Sequence, residues 1–277
     1  MKVGGPWDST FEPMFNQPDN EISAFVEWLS TLGTPHLDPG EPMVERIAPQ
    51  SVSPESLQQM ARVAASLLAR SPAIRHSIKL TTEHFRGEFG LKEPADKPLI
   101  AANQRGLYDA YRTRMESSGR WAVLFSDQTE FITGDGFFHN FPASQDAINS
   151  GRKLVLPLLP TAALIYMLPT QHPTEPRLVT LHLGAKEVRS LNEIAQVYAS
   201  DFLFFRDQQP RLTEDFRCGA HKQFQYHRHT WLDPLLDDLS QYNRWGARGS
   251  ASIGGRRSFS EYLRGDRWLE EITLGHR

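Results

Sequence analysis

An α+β fold is predicted, with a helical N-terminal half packed on a mainly antiparallel C-terminal sheet. Two observations predict it. Before about residue 120, apolar residues recur at the 3.6-residue spacing of amphipathic helices; from Trp121 onward they come in short runs and alternations of strand type. Helices therefore precede strands in bulk, without the strict strand–helix alternation of a parallel α/β protein. A third observation is the block from Trp121 to Pro160. It holds Trp-Ala-Val-Leu-Phe-Ser, Phe131-Ile-Thr-Gly-Asp135 and Leu154-Val-Leu-Pro157-Leu-Leu-Pro160, three apolar runs close together. A chain of 277 residues with 39% hydrophobic content supplies a sizeable core. We expect one domain over 1–277: a mostly helical half at 1–120, a sheet-rich half at 121–206 and a C-terminal helical and loop extension at 207–277.

Each element follows from local signals. Ile22, Phe25, Val26, Leu29 and Leu32 share a helical stripe that Gly33 stops. Residues 34–50 hold four prolines and read as a loop with one short turn. Ser53-Pro54-Glu55 starts the next helix, because Ser caps and Pro fits the first helical position. Leu57, Met60, Ala61, Ala64, Leu67 and Leu68 form its apolar stripe. Ser71-Pro72 opens another helix that fades near Gly87 or Gly90, and a further helix spans 98–117. Strands are expected at 121–126, 129–134, 153–159, 162–168 and 178–183, with Asp127-Gln128-Thr129 as a hairpin turn. Pro157 cannot donate to a ladder, so its strand belongs at a sheet edge or a bulge. A helix over 185–199 carries Val188, Leu191, Ile194, Ala195 and Tyr198 on one face. Phe202-Leu-Phe-Phe205 reads as a short buried strand and 231–243 as a short amphipathic helix. Residues 244–260 read as an exposed loop, and Ser258 with Glu261 forms a capping box for a last helix.

Composition narrows the function classes. A net charge of −3 provides no global field toward nucleic acid or an anionic membrane. One cysteine, Cys218, excludes an intramolecular disulfide and any zinc site that needs two thiolates of this chain. The opening residues lack the apolar core of a secretory signal, and no apolar run reaches the ~20 residues of a spanning helix, so a soluble, cytoplasmic protein is expected. There is no Walker loop, no Gly-x-Gly-x-x-Gly after a strand, no Gly-x-Ser-x-Gly and no His-Glu-x-x-His. No motif names a cofactor.

The ordered set Arg70-Ser-Pro72-x-x-Arg75, Phe131-Ile-Thr-Gly-Asp135, Pro157-Leu-Leu-Pro160 and Asn192 resembles a widespread bacterial family, domain-of-unknown-function family 4238. Its members carry a paired-arginine motif around a proline, a Phe-Ile-Thr-Ser-Asp strand end, a Pro-Leu-x-Pro strand and an asparagine on the next helix. The resemblance covers roughly residues 50–206. This chain departs from it twice. The family's N-terminal His-x-x-Pro motif, followed there by tyrosine and leucine, is not matched in context in residues 1–40, where His36-Leu-Asp-Pro39 runs on to Gly40, and Asp135 is followed by Gly136 and Phe137 where a polar residue and proline are usual. Since the family's own activity is uncharacterised, the resemblance implies fold more than chemistry.

Four residues make the leading candidate site. Arg70 and Arg75 flank a helix junction, where guanidinium groups can grip a phosphate or carboxylate bidentately. Asp135 ends a strand and offers a carboxylate for acid–base or metal work; Asn192 would orient the ligand. The expectation is an anion-binding cleft at the seam of the two halves, belonging either to an enzyme or effector acting on a phosphate-bearing or nucleic-acid substrate, or to a non-enzymatic binding domain. The structural alternative is that these side chains satisfy backbone groups or pair with each other. His139 can face the same cleft as Asp135, though Phe137 and Phe138 are expected to fold inward and His139 to be a partly buried polar residue. Cys218, with Arg217 and His221 beside it, is read as an ordinary free thiol. His221, His227 and His229 form the one His-rich patch, but Lys222 and Arg228 oppose a cation, so no closed metal site is expected. Arg244, Trp245, Arg248, Arg256 and Arg257 can hold a nucleic-acid backbone and stack a base, or form a solvated linker.

Overall fold

The computed structural model describes residues 12–33, 41, 43–88, 97–141, 151–168, 175–219 and 232–242. Helix α1 (Glu12–Thr31) buries Phe25 and Leu29 as the spacing requires, while Ile22 stays exposed. The proline-rich stretch contains the expected short turn as α2 (Met43–Arg46), and also an unforeseen strand, β1 (Ala48–Gln50). Three residues with a central proline give no alternation to read. Such a strand is formed by pairing, and β1 pairs with β6 along one edge.

Helix α3 (Pro54–Ala69) begins where Ser53 caps it, Oγ accepting from Ser56 N at 3.1 Å. It buries Met60, Ala61, Ala64, Ala65 and Leu68. Its small residues let α5 (Lys97–Ser117) approach closely, and Gln104 Nε2 donates to Ala69 O at 3.0 Å to satisfy the end of α3. Helix α4 (Pro72–Glu88) lies between them in sequence and fades where glycine predicted. After α5 the chain turns at Gly119 with φ 83°; a Cβ there would sit 2.5 Å from the Tyr166 ring, so only glycine fits.

The sheet comprises β1, β2 (Arg120–Phe125), β4 (Lys153–Leu159), β5 (Ala162–Met167) and β6 (Leu178–His182) in the order β1-β6-β2-β5-β4. All pairs are antiparallel except β2 with β6. Alternation along β2 sends Trp121 and Val123 to the face covered by α1, α3 and α5, and Ala122 and Leu124 to the face covered by α6 (Ala185–Tyr198) and α8 (Leu232–Gln241). The helical half thus covers one face, and the helices that follow the sheet cover the other. Pro157 sits on the outermost strand β4 at an irregularity between Pro157 and Leu159, as its missing N–H demands.

Two expectations are corrected. Residues 127–129 do not close a hairpin. Ser126 Oγ binds Thr129 O at 2.7 Å in a tight corner, and Phe131 N then donates to Pro160 O at 2.8 Å, which draws the chain along the β4 edge. Only β3 (Thr133–Gly134) remains of the strand predicted over 129–134, and it pairs with β7 (Leu203–Phe204) outside the main sheet. The strand at 202–205 is correspondingly not buried: Phe202, Phe204 and Phe205 are 62%, 59% and 45% exposed. A two-residue strand on a two-stranded ribbon has no opposing layer to bury it. Helix α7 (Glu214–Arg217), capped by Thr213, was not foreseen. Among the described residues no helix is long and apolar enough to cross a membrane.

Two buried cations tie the later elements to the sheet. Arg46 pairs with Glu187 of α6 and donates to His182 O at 3.2 Å. Arg120, fully buried, donates to Leu239 O at 2.7 Å, Glu175 O at 3.1 Å and Pro176 O at 3.1 Å, which fastens the C-terminal end of α8. A cation among the last carbonyls of a helix is the favourable electrostatic arrangement.

Candidate functional site

The α3–α4 corner gathers the two predicted arginines. Arg70 is the C-cap of α3, and Ser71 precedes Pro72 at the start of α4. Asp19 of α1 holds Arg70 bidentately, with Nη1–Oδ2 at 3.0 Å and Nη2–Oδ1 at 2.6 Å. Arg70 also donates to Ser66 Oγ at 2.8 Å and lies 4.7 Å over the Phe15 ring. Its fork is therefore filled. Arg75 stands in the first turn of α4, its N–H donating to Ser71 O at 3.0 Å. Its side chain is exposed and, among the described residues, has no acid partner. Protein packed around it, and then the nearby Arg70 charge, push its pKa down.

Ser71 brings in a residue from the sheet side. Its hydroxyl lies 3.3 Å from His139 Nε2, and Ile74 N donates to the same Oγ at 3.4 Å. Ser71 is 3% exposed. His139 is reached because residues 138–140 bridge to β4: Val155 N donates to Phe138 O, and Asn140 N to Lys153 O. The His139 residue surface is half-buried, but Nδ1 is sealed from solvent without a partner among the described residues, and burial lowers the imidazole pKa to about 4. The ring is neutral near pH 7. Phe137 packs beside it at 5.7 Å between centroids.

Asp135 and Asn192 are engaged with other groups. Asp135 Oδ1 accepts from Ser200 N at 2.7 Å and Oδ2 from Asp201 N at 3.1 Å, just past the end of α6. Asn192 accepts from Ile132 N at 3.0 Å and donates to Glu130 O at 2.7 Å. It acts as a piece of ladder for a segment that has left the sheet. The structure thus brings Arg70 and Arg75 together, and Asp135 and Asn192 to one helix, without recording a contact between the pairs. Gly134 marks how tightly this side is packed: a Cβ there would lie 2.7 Å from Ala199 Cβ. Beside Asn192 a small apolar void of about 20 Å³ is lined by Phe131, Phe137, Phe138, Pro157 and Leu191, room for one water-sized group.

Sequence reasoning missed the Ser71 side of the corner, since Ser71 carried only a capping signal. It also missed His182, whose Nε2 lies 2.9 Å from Asp127 Oδ2 while its buried Nδ1 meets no hydrogen-bond partner among the described residues. Nothing in a strand end and a turn residue announces that meeting. Cys218 is exposed, its thiol donating to Glu214 Oε1 at 3.4 Å. Among the described residues no group of three or more His, Cys, Asp and Glu side chains is gathered for a metal. His221, His227 and His229, with Arg244, Trp245, Arg248, Arg256, Arg257 and the Ser258 capping box, lie outside the described residues. No family model, no curated protein and no solved structure matches this chain.

Proposed function

We propose that this protein binds a phosphate- or carboxylate-bearing ligand at the α3–α4 corner, with Arg75 as the cation that meets it. One observation carries the reading: two arginines share the corner and, among the described residues, one carboxylate, Asp19, pairs there, with Arg70. Arg70 is neutralised and fixed; Arg75, without an acid partner among the described residues, presents its guanidinium at the exposed surface. The first turn of α4 contributes a positive dipole end beside it. Ser71 and His139 supply a neutral hydroxyl–imidazole pair at the same corner.

The reading is one of binding before chemistry. Each oxygen of Asp135 and both polar atoms of Asn192 are engaged with backbone groups of their own fold. The motif order from Arg70 to Asn192 supports kinship with the uncharacterised bacterial family named above, and a single thiol fits a cytoplasmic setting.

Calorimetric titration of the full chain tests this, using inorganic phosphate, phosphoserine, succinate and a short single-stranded oligonucleotide as separate ligands. Losing a charge-assisted hydrogen bond is worth roughly 1.5–3 kcal/mol, so Arg75→Ala should weaken the best anion by about 10- to 100-fold. The melting temperature should hardly change, because Arg75 holds no ion-pair partner among the described residues. Arg75→Lys should recover part of the affinity. Equal anion binding by wild type and Arg75→Ala, or none by wild type at millimolar concentration, sinks the proposal.

A further inference from the structure

The positive surface at the α3–α4 corner is short and bounded. Arg75 is exposed, and one turn further along the same stripe of α4 stands Lys79, also exposed. On the α3 side, Arg70 is closed off by Asp19. On the other side comes Glu83, whose Oε1 lies 3.7 Å from Lys79 Nζ. That contact is loose. It is longer than a hydrogen bond, both side chains are exposed, and Lys ahead of Glu is the weaker order at this spacing. Lys79 is therefore easily given up to a ligand. A cation in the first turn of a helix opposes its dipole, and α4 has no acid there to offset Arg75. Packing, and then the Arg70 charge, depress the Arg75 pKa. Dipole and neighbour both work against the cation, and a bound anion relieves both.

We propose that this corner, on the anion-binding reading above, selects a phosphomonoester: a terminal phosphate whose two charges are met by Arg75 and Lys79. Side chains at this spacing leave the helix about 5–6 Å apart, and both are long enough to converge on one tetrahedral group. Arg75 offers a fork to two of the phosphate oxygens, and Lys79 brings a point charge to the third. A terminal phosphate carries about −1.5 to −2 charges near pH 7, which two cations match. A carboxylate carries one charge and is satisfied by Arg75 alone. A phosphodiester also carries one per phosphate, and holding a nucleic-acid backbone takes a run of cations with aromatic platforms for the bases. Here the stripe changes sign at Glu83, and the large apolar side chain exposed beside Lys79 is Leu80, not an aromatic. The net charge of −3 adds no attraction for a polyanion. Arg75 thus holds an anion of either kind, and Lys79 decides which is preferred.

Titration of the full chain at pH 8, followed by the NMR amide shifts of residues 71–80, tests the proposal. The probes are methyl phosphate, dimethyl phosphate and an oligothymidylate without terminal phosphates. Methyl phosphate is a dianion at that pH, and dimethyl phosphate is a monoanion of similar shape. The second cation should make methyl phosphate bind about 10-fold more tightly than dimethyl phosphate. Lys79→Ala should remove that preference and leave the affinity for dimethyl phosphate unchanged, whereas Arg75→Ala should weaken both. Both side chains are exposed, so the variants should keep the wild-type unfolding midpoint. Equal wild-type affinities for the two phosphates overturn the proposal while the anion site stands. So does a preference that survives Lys79→Ala. Tighter binding of the oligothymidylate than of methyl phosphate would assign the corner to a polymer backbone and overturns it equally. No shift with any probe at millimolar concentration removes the anion site itself, and the phosphomonoester with it.

Discussion

His139 shows how a residue acquires a property that its identity does not carry. An ordinary histidine gains its proton near pH 6.5, whereas here burial against Ser71 and Phe137 pulls the pKa to about 4. The sign follows from proton counting. Between those two values the unfolded chain binds a proton that the folded chain refuses, so stability falls as pH falls through that window and is unaffected above it. Between pH 7 and pH 4.5, wild type should lose about 2–3 kcal/mol more than His139→Gln, read as the shift in urea midpoint at each pH. Identical pH profiles for the two proteins would mean that the imidazole is not held neutral by its surroundings.

Among the elements, α6 does more than cover the sheet. Its Asn192 binds Glu130 O and Ile132 N, and its Gln196 binds the chain at Arg211 and Thr213, so two segments outside the main sheet are hung on one helix. Removing the Asn192 amide leaves a buried N–H and a buried carbonyl without partners. Asn192→Ala should therefore cost about 2 kcal/mol in chemical denaturation and raise exchange at the Ile132 amide selectively, with anion binding at the α3–α4 corner intact. Lost anion binding with an unaltered denaturation midpoint would instead make Asn192 a ligand-binding residue and return it to the site.

On the scale of the whole molecule, the sheet joins what the sequence divides. Its two faces belong to two apolar clusters that share strands β2, β4, β5 and β6. Arg120 fastens α8 to the start of β2, and Arg46 fastens α6 to the segment before β1. Halves that share strands cannot unfold separately. Calorimetry should give one transition with equal calorimetric and van't Hoff enthalpies. Two resolved transitions would show that the helical and sheet-rich halves are separate units.

The sequence by itself determined the elements whose cause is local. Ser53-Pro54, Ser71-Pro72 and the stop at Gly33 place helix ends through capping and φ, and the change of apolar period at Trp121 marks the strand β2. Pro157 even named its place at an edge, because a missing N–H is a property of the residue. Tertiary structure alone decided the rest. It gave Arg70 to Asp19 and left Arg75 without an acid partner among the described residues; it turned 129–132 away from the sheet onto Asn192; it set Phe202, Phe204 and Phe205 in water. Each outcome depends on which distant group arrives first at a donor or an apolar face. Residue spacing encodes the direction in which a side chain leaves the backbone, but not what meets it there.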